Sequence, residues 1–257
     1  MSAEATLIAP AAPSTPATAV PATTTPTDTV KLLTPPDPDR TPPSLAARLI
    51  VFPLLFIPWL ILYEWVVYRG PAANSFKTYL PGEWNWPIWQ WTELLYVSPY
   101  LLVTLVPFLA TTRRVLRQFV LAGLIATAFV CLIFVTVPAY APPRPFEPSG
   151  FLGRMMLWDR MMDRNNGAAA FPSFHVVWAF LGASVFAKRW PRIAPLCWTW
   201  ATAVSASCVL TGMHSLLDIV AGFLVYLLTY HRAAPMILTR LSAASPDGFA
   251  RSPAAAS

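Results

Sequence analysis

Six long apolar segments, separated by shorter polar stretches, occupy most of the chain. They cover about residues 46–68, 92–110, 119–137, 174–187, 193–210 and 214–230. Most of them approach the roughly 20 residues that an α-helix needs to cross a bilayer. The fourth is short for a span, but Lys188 and Arg189 beside it can snorkel to the membrane surface. The pattern predicts an all-α fold, a polytopic membrane helix bundle with six transmembrane helices.

Two tails flank these apolar segments. Residues 1–44 are rich in Ala, Pro and Thr. Such a segment buries too little apolar surface to offset its chain entropy, so we expect a disordered tail. It lacks the basic start, apolar core and small-residue cleavage site of a secretory signal. We therefore expect a membrane domain over residues 45–232, followed by a cytoplasmic C-terminal tail over residues 233–257.

The composition agrees with a membrane protein. Charged residues make up only 12% of the chain and hydrophobic residues 56%, whereas a soluble domain usually carries about twice that charged fraction. The net charge of +6 comes from short basic clusters between apolar segments. Membrane topology explains such clusters, so the expected partner is the bilayer and not a nucleic acid. Cys131, Cys197 and Cys208 lie inside apolar segments without metal-ligand spacing, and we interpret them as small apolar residues.

The distribution of Lys and Arg predicts how the bundle is oriented. Near the spans, ten of these residues fall on the side of the two termini and six on the opposite side. Positive residues favour the cytoplasmic side, so we expect both termini in the cytoplasm, in a plasma (inner) membrane. The Trp-rich stretch over residues 83–91 fits an aromatic belt at the outer, extracytoplasmic interface.

The connection between the third and fourth apolar segments, about residues 138–173, is the longest. A connection of this length is usually functional or disordered. Its four arginines are Arg144, Arg154, Arg160 and Arg164. They either form a solvated face balanced by Glu147, Asp159 and Asp163, or they bind an anion.

Two of the three histidines, His175 and His214, begin the fourth and sixth apolar segments. The predicted topology places both on the same membrane face as the long connection. Asp218 follows His214 by four residues, so a helix would bring the two side chains to one face about a turn apart. A carboxylate in that position can fix the imidazole tautomer that leaves the other ring nitrogen nucleophilic.

Each of these residues also has a simpler interpretation. A histidine at a helix end is often only interfacial, which is our interpretation of His231. Taken alone, Asp218 is equally consistent with a structural hydrogen-bonding group, and Ser173 with an N-cap for the helix that follows it. The convergence of two histidines, a carboxylate and an arginine-rich connection on one membrane face is more specific than any of these residues alone.

The motifs resemble those of the type 2 phosphatidic acid phosphatase family, the membrane branch of a superfamily that also contains vanadium haloperoxidases. That family carries K-x6-R-P, then P-S-G-H, then S-R-x5-H-x3-D. Here residues 144–145 resemble the end of the first motif, and residues 172–175 resemble the second. Residues 207–218 resemble the third motif at its full spacing. The resemblance covers about residues 46–230 and includes the order of the motifs on six helices.

The chain departs from the family's motifs at three positions. Val137 stands where the first-motif lysine would be, Phe174 replaces the second-motif glycine, and Cys208 replaces the third-motif arginine. Two phosphate-binding cations of the family are therefore missing, and the later arginines of the long connection are candidates to substitute for them. The pattern is closer to the inositol phosphorylceramide synthase-like branch. Members of that branch pass a phosphorylated head group to an alcohol, and they often have a Pro-Pro-rich first motif.

The resemblance implies a lipid phosphatase or phosphotransferase that acts on a lipid (di)phosphate through a phosphohistidine. His214 would attack phosphorus, Asp218 would orient it, and His175 would protonate the leaving oxygen and then activate water or an alcohol. The implied phosphate-binding residues are Arg144, Ser173, Arg154, Arg160 and Arg164. These residues require no metal or other cofactor. The alternatives are head-group transfer to a lipid alcohol and a non-catalytic lipid or anion transporter of the same topology.

Overall fold

The computed structural model describes residues 38–244, and α-helices form nearly all of their regular structure. The helices are α1 (Leu45–Arg69), α2 (Glu93–Leu109), α3 (Arg113–Thr136), α4 (Gly150–Met162), α5 (Phe174–Arg189), α6 (Ala194–Leu210), α7 (Leu216–Leu228) and α8 (Ala234–Ala244). Helix α1 contains a π-helical segment at Phe52–Phe56, and a second π-helical segment, Thr229–Ala233, joins α7 to α8. The predicted all-α fold is confirmed. Residues 1–37 of the predicted tail lie outside the described part of the chain.

Short elements complete the described residues. Single 3-10 turns occupy Pro38–Arg40, Glu83–Asn85, Gln90–Thr92 and Pro191–Ile193. Two strands, β1 (Phe76–Lys77) and β2 (Ala139–Tyr140), pair in parallel with Phe76 opposite Ala139. This pairing joins the connection that follows α1 to the connection that follows α3.

Five helical segments of residues 38–244 are long and apolar enough to cross a membrane. They are Leu45–Arg69, Gln90–Leu109, Arg113–Thr136, Pro191–Leu210 and Leu216–Ser242. The fourth predicted span corresponds to α5, which has only 16 residues and falls short of that length. Nearly every α5 side chain from Phe174 to Phe186 is buried, so α5 forms the centre of the bundle. The apolar helices are those of an integral membrane protein.

The central helix α5 packs against α2, α6 and α7. A small residue permits its close contact with α3. A Cβ atom added at Gly123 would lie 2.9 Å from the side chains of both Leu55 and Trp178, closer than packed carbon atoms approach. Glycine at this position therefore lets α3, α1 and α5 meet, as small residues do in membrane bundles.

Polar side chains close several helix ends. The Thr112 hydroxyl accepts the Val115 N–H at 3.2 Å and so caps the start of α3. At the end of α2, the Arg48 guanidinium donates to the carbonyls of Pro107 and Phe108. These carbonyls have no partner inside the helix. Hydrogen bonds to them stabilise the helix end most where no water is available to take their place.

The long connection predicted over residues 138–173 contains a helix of its own, α4. This helix exposes Phe151, Trp158 and Met161 and buries Asp159 and Arg160. Exposed aromatic and apolar side chains beside a membrane bundle are typical of a helix that lies in the interface. Because large apolar side chains of α4 face outward while Asp159 and Arg160 face inward, α4 lacked the pattern of a surface helix in the sequence.

The last helix also differs from the sequence-based prediction. Helical residues continue past the predicted end of the sixth segment at residue 230 and reach Ala244 through the π-helical segment and α8. Residues 233–244, which we assigned to the C-terminal tail, are therefore helical. His231 lies in the π-helical segment, where its Nε2 is 3.0 Å from the Tyr226 hydroxyl.

Candidate active site

The turn between α6 and α7 holds His214. The sequence suggested that His214 begins the helix, but Ser215 is the N-cap of α7 and His214 immediately precedes it. The turn depends on Gly212, whose φ of 74° is in the left-handed region. A Cβ atom there would also lie 2.9 Å from Ile88. Glycine is the residue that adopts this conformation without strain, so Gly212 fixes the path of the chain into His214.

The hydrogen-bond partners of His214 define its tautomer. Its Nδ1 lies 3.2 Å from the Ala170 carbonyl oxygen and 3.5 Å from Oδ2 of Asp218. Both partners are acceptors, so Nδ1 carries the proton. Nε2 then carries the lone pair and accepts from the Ser173 hydroxyl, whose oxygen lies 3.4 Å away. This arrangement leaves a nucleophilic nitrogen directed at Ser173.

Asp218 is completely buried and also caps α7. Its Oδ2 accepts the Ser215 N–H at 2.8 Å, and its own N–H donates to the Ser215 hydroxyl at 3.3 Å. This reciprocal capping box fixes the carboxylate beside His214. The structural and the orienting interpretations of Asp218 are therefore compatible, because the same oxygen contacts the helix start and lies near the imidazole.

Ser173 occupies the N-cap position of α5, but its side chain makes no capping hydrogen bond. Its N–H instead donates to the Asp218 carbonyl at 3.0 Å. A Cβ atom at Gly222 of α7 would lie 2.6 Å from the Ser173 carbonyl oxygen. The absence of a side chain at Gly222 thus lets α7 approach the start of α5, which brings Ser173 and His214 together.

His175 is the second residue of α5 and is 8% exposed. Its ring stacks on Tyr96 with centroids 4.0 Å apart and meets Tyr100 nearly at a right angle at 5.4 Å. The His175 and His214 ring centroids are 5.8 Å apart. Nε2 of His175 has no hydrogen-bond partner among the described residues. The two histidines predicted from the sequence therefore converge, and tyrosines hold one of them in place.

Arg144 and Arg160 lie beside this site, but backbone carbonyls already bind their guanidinium groups. Arg144 is 1% exposed and donates to the carbonyls of Glu83, Trp86 and Val209. Arg160 donates to the carbonyls of Arg144 and Thr211 at 2.6 Å each. These bonds tie the long connection to the end of α6. In this structure the two arginines support the turn that carries His214.

Arg154 and Arg164 are exposed on or just after α4. The Arg164 guanidinium lies over the Tyr68 ring, 4.6 Å from its centroid. Neither residue lines the cavity that contains the two histidines. The phosphate-binding roles implied for all four arginines remain predictions.

A largely apolar cavity adjoins His175 and His214. Its walls come from α1, α2, α5 and the segment over residues 166–170. Aromatic side chains dominate, among them Trp59, Tyr63 and Tyr100. No Arg or Lys is among the described residues that line it. The cavity is thus suited to the apolar part of a ligand whose polar end reaches the histidines.

Two carboxylates expected on a possible solvated face lie near this site instead, Asp159 buried and Asp163 partly buried. Asp163 lines the cavity and accepts a hydrogen bond from the Tyr63 hydroxyl at 2.8 Å. Burial raises the pKa of Asp163 above its usual value. Burial also raises the pKa of Asp159 to about 7, with nearby Asp163 adding to the rise. Sequence reasoning missed both, because the reversed polarity of α4 gives no signal of buried acids.

Glu83 is a further residue that the sequence placed only in an aromatic belt. It is 1% exposed, and its carboxylate accepts the N–H groups of Leu80 at 2.9 Å and Leu216 at 2.7 Å. The second bond gives the Leu216 N–H a partner in the first turn of α7, where negative charge is favoured. Glu83 therefore helps to fix the helix that carries Asp218.

Metal binding finds no geometric support in the described residues. Within residues 38–244, no group of three or more His, Cys, Asp or Glu side chains is arranged to hold an ion. The chemistry available at the site is that of two imidazoles, a hydroxyl and a buried carboxylate.

Comparison with known proteins agrees with this geometry. The sequence model of the PAP2 superfamily matches residues 86–231, more than half of the chain, and the match includes both histidines and Asp218. No curated protein and no solved structure shows a significant match. The chain belongs to the PAP2 superfamily.

Proposed function

We propose that the protein is a membrane lipid phosphatase or phosphotransferase that forms a phosphohistidine on His214. Membership of the PAP2 superfamily supports phosphatase-type chemistry. The observation that carries the mechanism is the environment of His214, whose Nδ1 lies beside two acceptors while Nε2 lies 3.4 Å from the Ser173 hydroxyl. An imidazole held in this way is activated as a nucleophile.

The first chemical step forms a nitrogen–phosphorus bond. His214 Nε2 attacks phosphorus, the bond from phosphorus to the lipid oxygen breaks, and His175 gives a proton to that oxygen. In the second step His175 takes a proton from water or an alcohol, whose oxygen attacks phosphorus and releases His214. Asp218, 3.5 Å from Nδ1, stabilises the positive charge on the imidazole in between. General acid–base catalysis of this kind contributes about 10²- to 10⁴-fold.

The start of α5 is suited to hold the phosphate. The first N–H groups of a helix have no partner inside it, and its dipole favours negative charge there. Ser173 and His175 are at this helix end, next to His214. The Ser173 hydroxyl adds a donor, because its side chain does not cap the helix. Hydrogen-bond donors fixed in this way stabilise charge that develops at phosphorus.

Transfer to a lipid alcohol is a second candidate, and the charge of the cavity favours it. The cavity wall includes the carboxyl group of Asp163 and, among described residues, no Arg or Lys. Val137 and Cys208 already replace two cations of the family motifs. A phosphodiester carries less charge than a phosphate monoester dianion and needs fewer cations. The small number of cations near the histidines is the reason to consider the inositol phosphorylceramide synthase-like reaction beside hydrolysis.

Trapping of the phosphoenzyme tests the proposal. Purified protein is incubated with phosphatidic acid carrying ³²P, quenched with alkali and separated from lipid. We expect an acid-labile, alkali-stable label that His214→Ala abolishes. His231→Gln is the matched control, because His231 follows the end of α7 opposite to His214 and contacts Tyr226 there. Equal labelling of a folded His214→Ala protein would refute the mechanism.

The same experiment separates the remaining candidates. Label that chases into inorganic phosphate shows hydrolysis, and label that chases into a phosphatidic acid with the acceptor's chains, when a diacylglycerol of different chain length is present, shows transfer. Binding of phosphatidic acid without any label or turnover would indicate a lipid transporter. We further propose that the site faces the outer side of a plasma membrane, with both termini in the cytoplasm, on the basis of the Lys and Arg distribution.

A further inference from the structure

Two indole rings form part of the wall of this cavity. Trp59 of α1 and Trp178 of α5 meet edge to face, with ring centroids 6.1 Å apart. Trp59 also stacks on Tyr63 at 5.6 Å and meets Phe174 edge to face at 6.1 Å. Both indoles line the cavity that contains His175 and His214. The other rings packed against the two indoles are those of Phe56, Tyr63, Phe119 and Phe174.

Neither indole N–H has an acceptor within the described residues. Nε1 of Trp59 and Nε1 of Trp178 are both buried and without a hydrogen-bond partner. A buried Trp N–H usually finds an acceptor, as Trp200 does in this protein by donating to the Ser98 hydroxyl at 2.9 Å. Leaving such a donor unpaired is unfavourable. Two unpaired donors in one cavity therefore point to an acceptor that the ligand brings.

The distance from the two histidines to Trp178 indicates which oxygen of a ligand would be that acceptor. Trp178 follows His175 by three residues on α5, so it lies on the same face about 4.5 Å farther along the helix. A ligand with phosphorus at the histidines would present an oxygen to the indoles about one helical turn away. In a diacyl phosphatidate the nearer ester carbonyl is five bonds from phosphorus, roughly 6 Å when extended. A polyprenyl phosphate has no oxygen at that place.

We propose that Trp59 and Trp178 bind the ester carbonyl of an acyl lipid phosphate and so select acyl lipids over polyprenyl phosphates. The inference rests on the proposed function, because it assumes that phosphorus lies at His214. A carbonyl oxygen has two lone pairs and accepts from both N–H groups at once. Burial in an apolar cavity strengthens such bonds, since no water competes for the donors.

A matched pair of substrates tests the proposal without any mutation. Purified full-length protein in nanodiscs is given dioleoyl phosphatidate or its diether analogue, which has the same chains and phosphate but no carbonyl. We expect kcat/KM to be at least tenfold higher for the diester, which corresponds to about 1.4 kcal/mol. Trp178→Phe and Trp59→Phe keep an aromatic ring and remove the donor, so each should reduce that preference. Trp200→Phe is the control, because its donor binds Ser98, outside the cavity lining.

The outcomes distinguish this inference from the proposed function. Equal kcat/KM for diester and diether would overturn it, because the ester carbonyl would then contribute nothing to binding or turnover. Faster labelling of His214 from undecaprenyl phosphate than from the diester would also overturn it, while the phosphohistidine mechanism would stand. Failure of all three lipids to label His214 would overturn the phosphohistidine step for lipid monophosphates and this inference together.

Discussion

At the scale of single residues, the site combines catalytic geometry with helix capping. Oδ2 of Asp218 accepts the Ser215 N–H at 2.8 Å and lies 3.5 Å from Nδ1 of His214. One carboxylate therefore holds the start of α7 and the imidazole that precedes it. The spacing of His214 and Asp218 was visible in the sequence, but the shared use of one oxygen was not.

The two roles of Asp218 are separable by substitution. Asp218→Asn retains a carbonyl oxygen for the Ser215 N–H but loses the negative charge, so thermal stability should change little while turnover falls on the order of 10²- to 10⁴-fold. Asp218→Ala loses both functions and should also lose about 1 kcal/mol of stability through the missing cap. Turnover of phosphatidic acid and thermal unfolding measure the two effects. Near-normal turnover in Asp218→Asn would argue against the orienting role.

Asp159 makes stability depend on pH in an unusual direction. Burial raises its pKa to about 7, and its Oδ2 has no hydrogen-bond partner among the described residues. The folded state therefore favours the protonated acid, whereas the unfolded chain ionises near pH 4. The contribution of this group to the stability of the folded state is fully present below about pH 4. It is lost as the pH rises to about 7, and the loss is up to roughly 4 kcal/mol. Asp163 and His214 also act on this acid, so the difference between variants is the informative quantity.

The measurement compares thermal unfolding at pH 5 and pH 8. We expect the wild type to lose more stability over this interval than Asp159→Asn, which cannot ionise. Glu147→Gln is the control, because Glu147 is an exposed carboxylate on the same connection. Parallel pH dependence in wild type and Asp159→Asn would mean that the acid is ionised in the folded protein throughout.

At the scale of helices, close approach between α7 and the start of α5 positions the site. Gly222 faces the Ser173 carbonyl, where a Cβ atom would come within 2.6 Å of the oxygen. A contact between two backbones cannot relax by a side-chain rotation. The helix pair must therefore separate if a side chain is added, and Ser173 would move away from His214.

Gly222→Ala should therefore reduce turnover more than stability. Alanine favours a helix over glycine by up to about 1 kcal/mol, which offsets part of the strain. A displacement near 1 Å at a catalytic group is enough to cost about 10²-fold in rate, so we expect at least a tenfold loss. Gly182→Ala is the matched control, because its Cβ would meet Val103 at 3.4 Å, an ordinary contact. Equal activity of the two variants would show that Ser173 tolerates the shift.

At the scale of the whole molecule, local pattern predicted the helices and the convergence of His175 and His214. Both histidines are next to helix starts, and hydrophobic runs place helix starts well. The pattern did not predict α4, whose buried Asp159 and Arg160 reverse the usual polarity of a surface helix. It also did not predict the Tyr63–Asp163 hydrogen bond, which joins residues 100 apart in sequence. Contacts of this kind depend on how helices pack, and no periodicity encodes them.

For the same reason, the sequence could not predict where the arginine side chains point. Arg144 and Arg160 fit a phosphate-binding motif by type and order, yet in the fold they reach the carbonyl groups at the end of α6. Carbonyls at a helix end need donors where water is scarce, and a guanidinium supplies several in one plane. Six spans were predicted, whereas five helical segments of the described residues are long and apolar enough to cross a membrane. The central α5 is covered by protein and need not have the length of a lipid-exposed helix.

The orientation of the bundle gives a test of the whole topology. The Lys and Arg distribution predicts that α4 lies outside the cell and the end of the last helix inside. Ser149, the exposed N-cap of α4, and Ser242, exposed near the end of α8, are suitable for replacement by cysteine. The three native cysteines are buried, so they should react little with a membrane-impermeant maleimide. In intact cells we expect Ser149→Cys to be labelled and Ser242→Cys to be labelled only after permeabilisation. The reverse pattern would place the histidines on the cytoplasmic face, and the four arginines of the long connection would then follow the positive-inside rule.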